Sequence, residues 1–145
     1  MQQIPSKFSE VRNMFYAGDG NIFIGADYSK QEIVVAAETS DDDNLREAFN
    51  SGLDVYSYVA SLAFKKPYEE CLEHNPDGTI NPTGKKLRKH SKAVVLGLLY
   101  SKGTKATAED LGITYDEAQD IIDKVFTAFP KLKDEIDYTN EFVTK

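Results

Sequence analysis

Residues 85–103, KKLRKHSKAVVLGLLYSKG, form a basic stretch in an acidic chain. Between residues 84 and 105 there are seven basic residues and no Asp or Glu, which gives a local charge of +7. Because the whole chain carries −7, everything outside this stretch carries −14. Such a contrast indicates that the stretch binds an anionic partner.

The spacing of large side chains predicts that this stretch is one helix, at about residues 84–102. Arg88, Lys92, Leu96 and Tyr100 recur every fourth residue, which places them along one stripe of an α-helix. Arginine binds phosphate oxygens with a planar fork, lysine with a point charge, and a ring offers a stacking surface for a base. The stripe therefore suits a nucleoside triphosphate. Lysines opposite a buried helix face are, however, also common as plain solvated residues.

Composition limits the class of protein. With 145 residues and 41% hydrophobic residues, the chain has the size of one domain with its own core. Its single cysteine excludes an internal disulfide and a Cys-rich zinc site, and His74 and His90 are too isolated for a histidine metal site. No apolar run reaches the roughly 20 residues of a membrane span, and the N-terminus lacks a signal-peptide pattern. We therefore expect a cytoplasmic protein without a membrane partner.

The remaining pattern predicts a mainly α fold with a small β-hairpin, an α+β arrangement. A dense turn signal at residues 18–21 separates two apolar runs, which predicts a hairpin whose second arm, residues 22–26, is a buried strand. Helical patterns follow from residue 31 onward, and Thr114 and Glu117 form a capping box before a long amphipathic helix. The fold is thus predicted to be helical beyond the hairpin.

Two acidic positions allow more than one role. Asp27 follows the predicted strand, where a rigid sheet would fix a catalytic carboxylate, but it suits a cap of the next helix equally well. Residues 41–43 are three consecutive aspartates, a pattern that invites a metal hypothesis. Acids at a helix start also offset the positive end of the helix dipole, and that explanation is favoured here.

Residues 107–118 allow another class of function. They resemble a helix-turn-helix with Gly112 at the turn, which would make the chain a DNA-binding regulator. The second helix would carry four acids, which oppose a phosphate backbone. They are Asp116, Glu117, Asp120 and Asp123. A non-catalytic helical interaction module is a further alternative, but it leaves the basic stripe unexplained.

Two motifs, taken together, resemble those of family A DNA polymerases. DYSKQE at residues 27–32 is similar to the palm motif D-Y-S-x-x-E, and residues 88–100 are similar to the fingers helix R-x-x-x-K-x-x-x-[FY]-G-x-x-Y. Residues 2–5 and 126–130 also resemble segments of that family, so the likeness covers nearly the whole chain. It implies that residues 1–40 are part of the palm and that residues 41–145 are the helical fingers subdomain.

The resemblance implies a fragment of a DNA-directed DNA polymerase, which transfers nucleotides from a dNTP to a primer 3′-hydroxyl in DNA replication. Asp27 and the Tyr28 carbonyl would hold the paired Mg²⁺ ions. Glu32 would crowd the sugar 2′ position. Arg88 and Lys92 would hold the triphosphate, and Lys92 would also act on the leaving group.

The end of the fingers helix would lie near the base pair. By the same resemblance, Leu96 would contact the nucleotide, Tyr100 the nucleotide and the template, and Gly97 and Ser101 the template. Leu96 stands where the family usually has Phe or Tyr, Ser101 where it has Gly, and Tyr56 where a histidine is frequent. These departures predict an enzyme of phage or prophage origin.

The second acidic motif of the family is missing from these residues. No His-Asp pair occurs in the sequence, and neither a thumb nor an exonuclease pattern is found. We therefore expect the fragment alone not to polymerise DNA. Its expected partners are a dNTP, primer-template DNA and the remainder of the polymerase chain.

Overall fold

Helices form nearly all of the regular structure in residues 9–143, the range that this computed structural model describes. The helices are α1 (Ser9–Asn13), α2 (Gln31–Thr39), α3 (Asp43–Asn50), α4 (Val55–Phe64), α5 (Pro82–Leu99), α6 (Thr104–Leu111), α7 (Tyr115–Ala128) and α8 (Pro130–Val143), with a 3₁₀ turn at Tyr68–Cys71. None of these helices is both long enough and apolar enough to cross a membrane.

The mainly α class is confirmed, but the predicted β-hairpin is wrong for the described residues. The turn itself forms, with the Asn21 N–H donating to the Gly18 carbonyl at 3.1 Å. Residues 22–28, however, have no strand and no backbone hydrogen bond to another described residue. A strand requires a neighbour for its ladder, and nothing between residues 9 and 143 supplies one. Ile22 and Ile24 are consequently 80% and 87% exposed instead of buried.

Helix α4 lies at the centre of the core. It packs against α5 and α7, and its buried side chains face both. The apolar faces of α2, α3 and the start of α8 complete the cluster. The predicted core face of α7 is confirmed, because three of its apolar residues are buried there. They are Ile121, Ile122 and Val125.

Helix α5 begins two residues earlier than the predicted helix. Its N-cap is Asn81, whose side chain accepts the Gly84 N–H at 3.0 Å, and Pro82 occupies the first helical position. Both residues lie before the predicted start, although an Asn cap followed by proline is a typical helix start. A Cβ at Gly84 would lie 2.0 Å from the Leu72 carbonyl oxygen, so glycine permits the close approach of α5 to that backbone.

Asp42, the middle one of the three aspartates at residues 41–43, serves two helix ends, as the favoured explanation predicts. Asp42 is 1% exposed, and its Oδ1 accepts the Leu45 N–H at 3.0 Å. Its Oδ2 accepts the N–H groups of Lys131 and Leu132, at 2.9 and 3.2 Å. One carboxylate therefore caps both α3 and α8. No group of three potential metal ligands occurs in the described part of the chain.

Candidate nucleotide-binding site

Tyr56 forms the floor of a cluster that includes both cations of the predicted stripe. Its ring is 1% exposed. The Arg88 guanidinium carbon lies 5.6 Å from the ring centroid and the Lys92 Nζ lies 5.5 Å from it. Both distances fall within the range of a cation–π contact. The sequence comparison had marked Tyr56 only as a departure from a pattern, and its spacing gave no sign that it supports both cations.

The Tyr56 hydroxyl is buried and has no hydrogen-bond partner among the described residues. Burial raises the pKa of this hydroxyl, and the negative charge of nearby Glu32 raises the pKa further. The charge of Glu32, in the first turn of α2, therefore acts on the ring over which Arg88 and Lys92 lie.

Arg88 is engaged by two carboxylates. Its Nε and Nη2 donate to Oδ1 and Oδ2 of Asp54 at 3.0 and 2.9 Å, which is a two-point contact, and its Nη1 lies 3.7 Å from Glu73 Oε2. The Lys30 Nζ is 3.4 Å from the same Asp54. The hydrogen bonds that Arg88 donates to Asp54 raise the pKa of Arg88, so the guanidinium stays charged.

The pKa of Asp54 reflects opposing effects. Burial acts to raise the pKa of this carboxyl, but the Arg88 hydrogen bonds, the Ser57 N–H and the charges of Arg88 and Lys30 together hold it below its ordinary value. Asp54 is also the N-cap of α4, because its Oδ1 accepts the Ser57 N–H at 2.9 Å. The residue therefore links the starts of α2 and α4 to α5.

Lys92 differs from Arg88 in being exposed and in having no ion-pair partner within residues 9–143. Part of the local charge of +7 is neutralised elsewhere: Lys85 pairs with Glu73 at 3.0 Å, and Lys102 pairs with Asp110. The ammonium of Lys92 can consequently bind an anionic ligand.

Glu32 and Tyr100 line one open cleft of about 460 Å³. The cleft lies between α2 and the end of α5, and Val35 and Leu99 contribute apolar walls. The Tyr100 side chain is 74% exposed, whereas Leu96, one turn before it, is half-buried. The stripe thus continues from the cations to an open ring, but its aliphatic member lies partly within the fold.

Gly97 and Ser101 belong to the turn that ends α5. The N–H groups of Ser101 and Lys102 donate to the carbonyls of Leu98 and Gly97 at 3.0 and 2.8 Å, which is the Schellman pattern. Ser101 has φ of +57°, a left-handed conformation that favours glycine. The Lys102 side chain covers Gly97, where a Cβ would lie 3.0 Å from Lys102 Cδ. The conformation explains why a glycine suits the position of Ser101.

Asp27 and Tyr28 are exposed and precede α2. Asp27 makes no hydrogen bond or ion pair with any described residue. Helix α2 is not capped by Asp27, because the N-cap is Lys30, with φ of +58° and no side-chain cap bond. The capping alternative for Asp27 is therefore wrong, and its carboxylate remains available for another role.

The helix-turn-helix alternative has a structural basis but the wrong charge. Helices α6 and α7 pack together across Gly112, whose φ is +67°. The side of α7 away from its buried apolar residues is acidic, with Asp116, Asp120 and Asp123, and Lys124 pairs with Asp120. Such a surface repels the DNA backbone.

Comparisons with known proteins agree with the two motifs. The whole chain, residues 1–145, matches the profile of the family described as DNA polymerase family A. It is 36% identical to DNA polymerase I of Chloroflexus aurantiacus over 147 aligned positions, which cover 98% of this chain and 14% of that enzyme. It is 31% identical to the thermostable DNA polymerase I of Thermus aquaticus, over 97% of this chain and 16% of that enzyme. Both relatives are bacterial, so they give the predicted phage or prophage origin no support.

A solved structure agrees with the helical arrangement. The chain is similar to the POL domain of Pol1 from M. smegmatis, solved in complex with DNA primer-template and dNTP. The TM-score is 0.69 at 32% identity, over 92% of this chain and 22% of that one. The chain therefore spans less than a quarter of the length of each of these three relatives.

Proposed function

Because the chain belongs to DNA polymerase family A, we propose that it supplies the dNTP-binding surface of a DNA-directed DNA polymerase. In that enzyme, nucleotidyl transfer attaches the nucleoside monophosphate of a dNTP to a primer 3′-hydroxyl and releases pyrophosphate. The shared Tyr56 ring carries the proposal: it holds Arg88 and Lys92 side by side, one turn apart on α5, with Glu32 close by.

Phosphate binding falls to the two cations. The guanidinium of Arg88 is kept charged and oriented by Asp54, and so suits a fork-like contact with phosphate oxygens. The exposed ammonium of Lys92 has no carboxylate of its own within the described residues, so a triphosphate would meet it without first displacing an acid. We assign Lys92 the further role of stabilising negative charge on the departing pyrophosphate.

The sugar and the base occupy the cleft between α2 and the end of α5. Glu32 and Tyr100 line this cleft, so a nucleotide whose phosphates bind Arg88 and Lys92 would direct its sugar toward Glu32. We assign to Glu32 the exclusion of a 2′-hydroxyl. Leu96 would give the nucleotide an aliphatic contact, and the exposed Tyr100 ring would contact the incoming base and the template strand near Gly97 and Ser101.

Asp27 and the Tyr28 carbonyl are the proposed Mg²⁺ ligands. Carboxylate and carbonyl oxygens are the donors that Mg²⁺ prefers, and no partner of Asp27 among residues 9–143 competes with an ion. Two oxygens are too few for an octahedral ion, so phosphates, water and the rest of the polymerase would complete its coordination. When bound, the ions would neutralise charge on the reacting phosphates. The 145 residues by themselves are expected not to extend a primer.

The remainder of the polymerase is the proposed partner of residues 14–28. Six large apolar side chains between residues 14 and 24 are exposed, and residues 22–28 have no ladder hydrogen bonds. They are Met14, Phe15, Tyr16, Ile22, Phe23 and Ile24. Exposed apolar surface of this extent favours contact with another protein surface. We therefore assign residues 1–40 to the palm, where strands of the parent enzyme would pair with this segment, and residues 41–145 to the fingers. A cytoplasmic location likewise stays a prediction.

Titration with a deoxynucleoside triphosphate tests the phosphate-binding role. Arg88→Ala and Lys92→Ala should each weaken binding of dGTP about 10-fold or more by calorimetry, since a charge-assisted contact contributes about 1.5–3 kcal/mol. Lys86→Ala is the matched control, because Lys86 is an exposed lysine on the opposite side of the same helix and its loss should change the affinity less than 2-fold. Equal effects of all three substitutions, or none, would refute the proposed site.

A further inference from the structure

The Arg88 guanidinium already holds anions before any nucleotide is present. Asp54 occupies one edge through Nε and Nη2, and Glu73 lies near the other side, 3.7 Å from Nη1. A guanidinium offers five N–H donors in a fixed fork. A phosphate can therefore share Arg88 with Asp54 through the second edge, beside which the Glu73 carboxylate lies without a hydrogen bond to the guanidinium.

The two carboxylates are held very differently. Asp54 is anchored by the backbone: its Oδ1 caps α4 at the Ser57 N–H, and its own N–H donates to the Tyr68 hydroxyl at 2.9 Å. Lys30 adds an ion pair at 3.4 Å. Asp54 therefore cannot leave Arg88 without uncapping a helix.

Glu73 is attached to the site only through its side chain. Its carboxylate contacts Lys85 at 3.0 Å and Arg88 at 3.7 Å. The backbone of Glu73 is fixed separately, since its carbonyl accepts the Asn81 N–H at 2.9 Å. Its side chain is about one-third exposed, so it can rotate toward water while the loop stays in place. The hydrogen bond from Lys85, and then the charges of Lys85 and Arg88, lower the pKa of Glu73, which keeps it anionic at neutral pH.

We propose that Glu73 competes with the triphosphate for Arg88, and that Asp54 is the positioning residue that keeps Arg88 aimed at the site when Glu73 leaves. This inference rests on the proposed function, because it takes Arg88 as a phosphate ligand. The exchange replaces one carboxylate by a more highly charged phosphate group on the same edge of the guanidinium. Arg88 thus keeps an anionic partner in the empty and in the occupied site.

Two isosteric substitutions should change phosphate affinity in opposite directions. Glu73→Gln removes the competitor and should tighten binding of inorganic tripolyphosphate about 2- to 5-fold, the range expected for a partly exposed ion pair. Asp54→Asn keeps a helix cap but loses the charged fork and should weaken binding about 10-fold. If Asp54→Asn tightens binding instead, Asp54 is a second competitor and the positioning role is wrong.

Glu70→Gln is the matched control for charge. Glu70 precedes Glu73 by three residues and pairs with Lys66 at 3.3 Å, away from Arg88, so its loss should leave the affinity within 2-fold. An equal gain in affinity from Glu70→Gln and Glu73→Gln would mean that only the net charge near the site matters. It would show that Glu73 does not compete for Arg88. The gain from Glu73→Gln should also vanish in an Arg88→Ala background.

Failure of this inference can be distinguished from failure of the proposed function. If Arg88→Ala leaves tripolyphosphate binding unchanged, the proposed function fails; if Arg88→Ala weakens binding but Glu73→Gln has no effect, only the inference fails. The Nε–H resonance of Arg88 gives an independent measurement. It should persist in the complex, because Asp54 stays bound, and its loss on binding would contradict the positioning role. Should Asp54→Asn not fold, Asp54→Ser retains a capping oxygen and serves the same comparison.

Discussion

Arg88 and Lys92 lie one turn apart on α5 and over the same Tyr56 ring, yet only Arg88 is paired. Two carboxylates contact its guanidinium, whereas no described carboxylate contacts the Lys92 ammonium. The pairing ties Arg88 to the starts of α2 and α4 through Asp54. Arg88 therefore contributes to the fold as well as to the proposed site, while the only contribution of Lys92 to the fold among the described residues is its contact with the Tyr56 ring.

The difference shows that helical spacing predicts where a side chain lies but not which partners it has. Asp54 is 34 residues from Arg88 in sequence, and Glu73 is 15 residues from it. Neither position belongs to the motif that identifies the helix. Substitutions at each residue test whether Arg88 stabilises the fold and Lys92 does not.

The largest effect is expected from Arg88→Ala. It should lower the free energy of unfolding by about 2 kcal/mol, because it leaves the partly buried Asp54 carboxylate without its main partner. Lys92→Ala should lower the same quantity by less than about 0.5 kcal/mol, as is usual for an exposed residue. Urea denaturation followed by circular dichroism measures both. Equal losses would contradict the division of roles.

A smaller effect is expected from acid. Since the pKa of Asp54 is lowered in the folded state, its stabilising contribution is present above the unfolded value of about 3.9 and is lost as pH falls through the folded pKa. The free energy of unfolding of the wild type should therefore exceed that of Asp54→Asn by about 1 kcal/mol at pH 7 and by almost nothing once the pH lies below the folded pKa of Asp54. Denaturation at a series of pH values checks this. A difference that is independent of pH would exclude the ion pair as its source.

Tyr56→Phe should stabilise the fold slightly, unlike the substitutions of Arg88 and Asp54. The buried hydroxyl has no partner in residues 9–143, so removing it should raise the free energy of unfolding by up to about 1 kcal/mol. The ring that supports both cations would remain. Thermal denaturation provides the measurement, and a loss above about 1 kcal/mol would show that the hydroxyl is hydrogen-bonded in solution.

The smallest effect is expected at the end of α5. Ser101→Gly relieves a left-handed backbone conformation but loses the exposed hydrogen bond to Asn140, so the net gain in stability should be about 0.5 kcal/mol. The Schellman turn beyond both cations would be retained. A clear loss of stability would mean that the Asn140 contact outweighs the backbone strain.

Much of the fold follows from sequence because it depends on local patterns. The sequence predicts the capping box at Thr114 and the amphipathic helix that follows it, and both are present. The predicted strand at residues 22–26 failed for a physical reason: an apolar run indicates burial, but a strand also requires a neighbour that these residues lack. Local pattern therefore predicts helices more reliably than it predicts a sheet edge.

The candidate site was only partly predictable. The residues Arg88, Lys92 and Glu32 were found from motifs, and the structure places the first two over one ring on which the charge of Glu32 acts. The roles of Asp54 and Glu73 could not be found, because their contacts join distant parts of the chain and no spacing rule relates them to α5. The position of Asp54 directly before α4 indicates only a helix cap, which is half of its observed role.

An NMR titration of the chain with dGTP tests most directly whether α5 binds a nucleoside triphosphate. A triphosphate bound by α5 should shift the signals of the Tyr56 ring and of the Arg88 Nε–H, together with those of Lys92 and Tyr100. The ring of His90, which lies on another side of the helix near Phe64, should stay unchanged. Shifts confined to other parts of the chain, or no shifts at millimolar dGTP, would show that α5 does not bind the triphosphate.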